Sequence, residues 1–104
     1  MSNFENVSIV KKANIYFDGK VTSRTIIFSN GETKTLGIML PGEYRFDTQK
    51  KELMVIQAGE VEVLLAGESE WQTFTDGSRF EVAANSAFDI KVNRVTDYCC
   101  SFLD

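Results

Sequence analysis

The chain has 104 residues, 43% of them hydrophobic and 25% charged, with a formal net charge of −4. That length makes one domain with one modest core. The acidic balance and scattered Lys and Arg argue against nucleic acid as a partner, because phosphate neutralisation needs clustered cations.

No apolar run approaches the ~20 residues of a membrane span and no signal-peptide pattern opens the chain, so the expectation is a cytoplasmic protein without a membrane partner. Histidine is absent, which removes the commonest metal ligand and the commonest general base. The two cysteines, Cys99 and Cys100, are adjacent. They supply no zinc-ligand pair, and in a strand they are expected to point one inward and one outward, both reduced.

Residues 1–12 read as a polar lead-in and 13–104 as the domain. The apolar run Ile15, Tyr16, Phe17 turns at Asp18-Gly19 into Lys20–Phe28, rich in Val, Thr, Ile and Phe, which suit a pleated surface. Asn30-Gly31 then predicts a hairpin to Glu32–Leu40, with both turn residues at φ > 0. Pro41-Gly42 interrupts before Glu43–Phe46. Leu53–Ile56 is apolar on both faces, and Gly59-Glu60 reads as a turn into the alternating strand Val61–Leu65. Asp76-Gly77 predicts a second hairpin, between Trp71–Phe74 and Arg79–Val82. Ala87–Val92 places Phe88, Ile90 and Val92 on one face, and Asp97–Leu103 places Tyr98, Cys100 and Phe102 together. About eight to ten short strands and no capped helical period predict an all-β fold, a sandwich or small barrel.

The stretch Gly37–Gly59 carries the chemistry. Residues two apart on a strand share a face, so Glu43 goes with Arg45, and Glu52 with Met54 and Ile56. Charges turned into a barrel need a partner or a ligand. The spacing of Gly37, Glu43, Arg45, Glu52 and Gly59 resembles the first cupin motif, with Glu43 and Arg45 at its two histidine positions and Glu52 at its glutamate. A second motif appears in outline at Gly77, Ala83, Asn85 and Phe88, the last at a metal-binding histidine position. The resemblance implies a single-domain cupin-like β-barrel, a small jelly roll, without the usual metal.

The segments NIYFDGKVTSRT, KTLGIMLPGEYRF, ELMVIQAGEVEV, EWQTF, FEVAANSAF and DYCCSFL are more specific. Over residues 13–103 they resemble the small cupin-type pyrimidine/purine nucleoside phosphorylases. That resemblance implies phosphorolysis: a nucleoside and orthophosphate, the co-substrate, give free base and pentose 1-phosphate, with no further cofactor.

Such chemistry needs a carboxylate near the sugar, donors for phosphate and a surface for the base. Glu43 and Glu52 are the candidate catalytic carboxylates. Lys20, Lys34 or Arg45 could hold phosphate, with Ser23 or Thr35 as hydroxyl donors. Met54, Phe88 and Tyr44 could carry the base. The plainer readings stand beside these: Glu43, Glu52, Lys20 and Lys34 as solvated strand-end residues, Met54 and Phe88 as core. A non-catalytic cupin that binds a nucleoside or sugar is the alternative function. Apolar surface at Leu53 and Val55 suggests a homodimer.

Overall fold

In the computed structural model, which describes residues 2–103, nine strands form among the described residues. They are β1 (Ser8–Ile9), β2 (Asn14–Tyr16), β3 (Val21–Ile27), β4 (Thr33–Met39), β5 (Gly42–Asp47), β6 (Lys51–Leu65), β7 (Gln72–Thr75), β8 (Arg79–Val82) and β9 (Ala87–Leu103). A single 3₁₀ turn, Phe17–Gly19, joins β2 to β3. Every pairing is antiparallel. No helix among the described residues is long and apolar enough to cross a membrane.

Two long strands organise the rest. The second half of β9 pairs with β4 and with the first half of β6, while its first half pairs with β5 and with the second half of β6. The larger layer therefore runs β1 and β2, then β3, β4, β9, β6, β8; the smaller runs β5, β9, β6, β7. The pairings form one continuous path that curls into a jelly roll of two layers, with no closed ring of strands among the described residues.

The core lies between the layers. Val21, Met39, Met54, Ile56, Tyr98 and Cys100 meet Tyr44, Val61, Val63, Phe88, Ile90 and Val92 there. An aromatic series runs through it: Phe17–Tyr44 at 4.9 Å between centroids, Tyr44–Phe46 at 6.4 Å, Phe46–Phe88 at 5.5 Å, Phe88–Phe80 at 5.9 Å and Phe80–Phe74 at 4.7 Å.

Gly59-Glu60 is not a turn. It sits inside β6, where the register against β9 shifts between Ile56 and Val61. Before this corner the buried residues are Met54 and Ile56; after it they are Val61 and Val63. The change from even to odd numbers is what a bulge does: one slip of register moves the inward face to the other residue parity. Gly59 takes φ 127°, and its N–H donates to Asp76 Oδ1 at 2.7 Å.

Asp76-Gly77 makes no hairpin either. β7 and β8 do not pair with each other; they follow one another along the same edge of β6 and kink between Asp76 and Ser78, where Gly77 N–H donates to the Ile56 carbonyl and Ile56 N–H to that of Ser78. The Asn30-Gly31 hairpin does form, with a three-residue loop. Gly31 alone takes the positive φ, 89°, and its N–H donates to the Phe28 carbonyl. That is a type I turn followed by a glycine bulge.

The end of β5 is pinned across the layers: Thr48, buried, donates its hydroxyl to the Ala83 carbonyl at 2.7 Å and accepts the Ser86 N–H at 3.0 Å. Both cysteines are free, and they point to opposite faces as expected, but both are buried. Cys100 faces the core, and Cys99 is covered on the opposite side of the central strand.

Candidate functional site

The ladders of the larger layer bring polar residues together in adjacent rows. Ser23 pairs with Gly37, Gly37 with Tyr98, and Tyr98 with Ile56. In the next row Thr35 pairs with Cys100 and Cys100 with Met54; in the third Phe102 pairs with Glu52. Alternation turns these side chains toward the same face. There Ser23, Tyr98, Thr35, Cys100, Met54, Phe102 and Glu52 line a cavity of about 180 Å³ with Met39, Phe46 and Phe88, and with the exposed residues Tyr16 and Asp47.

Glycine at position 37 is a requirement of this arrangement, because a Cβ there would come within 2.8 Å of the Tyr98 ring. The ring lies over the glycine and its hydroxyl is hydrogen-bonded to Ser23, which also accepts a hydrogen bond from Asn14 Nδ2 at 3.2 Å. Burial pushes the Tyr98 phenol up to about 12, and the Ser23 hydrogen bond offsets only part of this. Tyr98 is thus a neutral O–H donor at physiological pH.

Glu52 is the half-buried carboxylate of the cavity. Burial raises its pKa above the ordinary 4.5, and a hydrogen bond with Cys100 acts in the opposite direction. The Cys100 thiol is pushed up by burial first and then by the Glu52 charge, so it stays protonated and donates to the carboxylate; Thr35 hydrogen-bonds the same sulfur.

A carboxyl group whose pKa is raised on folding favours the fold when protonated. Its contribution is full below 4.5 and is lost as pH rises through the folded value. Glu52→Gln, neutral at every pH, is therefore expected to gain melting temperature over the parent as pH increases from about 4 to about 7. A constant difference across parallel thermal melts would contradict this.

Of the residues singled out in the sequence, Glu52, Ser23, Thr35, Met54 and Phe88 line the cavity. Glu43 does not. It and Arg45 occupy the exposed face of β5, where Arg45 Nη1 pairs with Asp89 Oδ2 at 3.2 Å. The inward residues of β5 are Tyr44 and Phe46, one position along. Burying an unpaired Glu or Arg costs far more than burying two rings that pack against Phe17 and Phe88, and this decides the face. Tyr44 belongs to the core and donates to the Leu40 carbonyl at 2.6 Å, away from the cavity lining. Lys20 is exposed at the start of β3. Lys34 lies over the rings of Phe4 and Phe28, at 5.5 and 5.6 Å from their centroids. None of the three candidate cations lines the cavity.

Tyr98, Cys100, Phe102, Tyr16, Met39, Phe46 and Asp47 line the cavity without having been singled out as site residues. A signal exists for three of them, as the shared face of Tyr98, Cys100 and Phe102, but alternation alone does not say that this face closes a cavity.

A family model described as pyrimidine/purine nucleoside phosphorylase matches residues 11–102. A protein of Syntrophotalea carbinolica with that name is 59% identical over 103 residues, 99% of each chain. The crystal structure of a protein of unknown function from Acinetobacter sp. ADP1 has a TM-score of 0.94 at 39% identity and covers 97% of this chain and 98% of that one. An RmlC-like cupin from Shewanella frigidimarina NCIMB 400 has a TM-score of 0.70 at 16% identity, covering 97% of this chain and 86% of its own. It shows the fold alone, and that fold is the expected cupin type.

The cupin motifs hold a metal between histidines and a glutamate, and the residues here do not fit one. Among the described residues no group of three or more His, Cys, Asp or Glu side chains is placed to hold a metal ion. At the cavity Glu52 is paired with a protonated thiol instead.

Proposed function

The chain belongs to the pyrimidine/purine nucleoside phosphorylase family, and on that footing we propose that it cleaves both purine and pyrimidine nucleosides by phosphorolysis, without a metal. A phosphate oxygen forms a bond to C1′ of the pentose as the bond from C1′ to the base nitrogen breaks. The bonding pair leaves with the base, and the proton of hydrogen phosphate ends on that nitrogen. The products are free base and pentose 1-phosphate.

Positive charge builds on the sugar in the transition state, and Glu52 is the residue we assign to meet it. A carboxylate inside a half-buried cavity acts through a lower effective dielectric than one in water. The hydroxyls of Ser23, Thr35 and Tyr98 serve as neutral donors to pentose and phosphate oxygens, a role the outlying Lys20, Lys34 and Arg45 are badly placed to fill. Glu43 has no part in this assignment. The observation that carries the reading is family membership over nearly the whole chain together with a cavity that holds one half-buried carboxylate and a row of hydroxyls.

The test is incubation of uridine and of adenosine with and without orthophosphate, in the presence of EDTA, with chromatographic detection of the base. Base release that requires phosphate and yields an equal amount of pentose 1-phosphate is expected. Release without phosphate would make the protein a hydrolase, and binding without release would make it a non-catalytic nucleoside-binding cupin.

A further inference from the structure

The cavity is too small for a nucleoside. At about 180 Å³ it is close to the ~150 Å³ engineered cavity that accepts one benzene. That is room for about one ring, and the cavity opens to solvent where a second ring can lie. If the base went in, a two-ring purine and a one-ring pyrimidine would fit very differently, and the hydroxyls inside would read the base edge. If the pentose goes in, both classes of base are treated alike.

We infer that the pentose occupies the cavity and that the base lies at its mouth against the rings of Tyr16 and Phe102, which therefore set the protein's tolerance for the base. This rests on the phosphorylase reading and specifies how its substrate is held.

Three observations favour that orientation. The cavity's hydrogen-bonding groups, Glu52, Ser23, Thr35 and Tyr98, suit the several hydroxyls of a sugar. Tyr16 and Phe102 line the same cavity yet are 47% and 38% exposed, so each offers ring surface to something outside. They come from β2 and the end of β9, on the same concave layer as Glu52, and Phe102 is the register partner of Glu52. A ring at the mouth meets a base through its π-face, which every base has, and leaves the base's hydrogen-bonding edges to water.

The experiment is calorimetric binding of adenosine, uridine and α-D-ribose 1-phosphate to the intact protein and to Tyr16→Ala, Phe102→Ala and Tyr16→Phe. Each alanine variant is expected to weaken adenosine and uridine at least ~5-fold, the lower end of what one stacking ring contributes. Ribose 1-phosphate, which has no base, should bind all four proteins alike, and Tyr16→Phe should behave as the parent. Unchanged nucleoside binding in both alanine variants would overturn the inference, as would an equal loss for ribose 1-phosphate, which would place the rings against the sugar. Circular dichroism and a thermal melt of each variant report separately whether it has kept its fold. The phosphorylase reading fails separately, if nucleosides bind and no phosphate-dependent base release follows.

Discussion

Glu52→Gln is expected to lower kcat for phosphorolysis about 100-fold, the scale seen when one preorganised electrostatic partner of a transition state is removed. That corresponds to about 2.7 kcal/mol of barrier. Gln keeps the shape and can still hydrogen-bond a sugar hydroxyl, so the ground state loses little and KM should change by no more than about threefold. What Gln lacks is the charge that answers the cation forming on the pentose. The pH profile gives an independent check. Burial raises the Glu52 pKa above 4.5, so the parent's activity should fall on the acid side at a pH above that value, and the residual activity of the variant should lack this limb. Glu43→Gln serves as the contrast, since Glu43 is exposed and outside the cavity; it should leave kcat within about twofold, as a surface substitution remote from the chemistry. Equal losses in the two variants would move the site to the outer face of β5.

The reason Glu43 looks as good as Glu52 in the sequence is physical. Alternation says that Glu43 and Arg45 share one face of β5 and Tyr44 and Phe46 the other, but a two-residue period has no sign. The sign is set by partners distant in the chain, here Phe17 and Phe88. The same holds for Glu52: Leu53–Ile56 is apolar on both faces, and only the fold shows that Glu52 turns inward with Met54 and Ile56. The strands themselves are legible wherever Val, Ile, Thr and aromatics alternate between turn residues. The long strand β6 is not legible as a single strand, because Gly59-Glu60 carries the same local signature whether the chain turns or bulges. Apolar parity does not mark the corner either, because Leu53–Ile56 is apolar at every position; the slip shows only in the buried set, Met54 and Ile56 before it and Val61 and Val63 after it. The place of the cations, outside the cavity, is illegible for a different reason. Nothing local separates a lysine that binds phosphate from one that lies over Phe4 and Phe28, as Lys34 does.

Gly59→Ala is expected to be the most destabilising of the simple substitutions, by about 3 kcal/mol, or roughly 15 °C in melting temperature for a domain of this size. Two costs add. A residue with a side chain is strained at φ 127°, and its Cβ would come within 2.7 Å of the Thr96 Cα and 2.8 Å of the Thr96 Cβ. Thr96 is fully buried on β9, and backbone atoms there cannot swing aside as a surface side chain would. Gly67→Ala separates the two costs, since Gly67 has φ 81° but a Cβ there would meet nothing within 4 Å. It should lose only about 1 kcal/mol, the conformational part alone. Similar losses in thermal unfolding for the two variants would mean that the close approach to Thr96 is not what demands glycine. A much larger loss at Gly59 would tie the corner to the site. The bulge at Gly59 lets β6 present Glu52, Met54 and Ile56 inward in one layer and Val61 and Val63 inward in the other. Without the corner, one of those two sets must turn outward, and the cavity carboxylate and half of the core cannot both be kept.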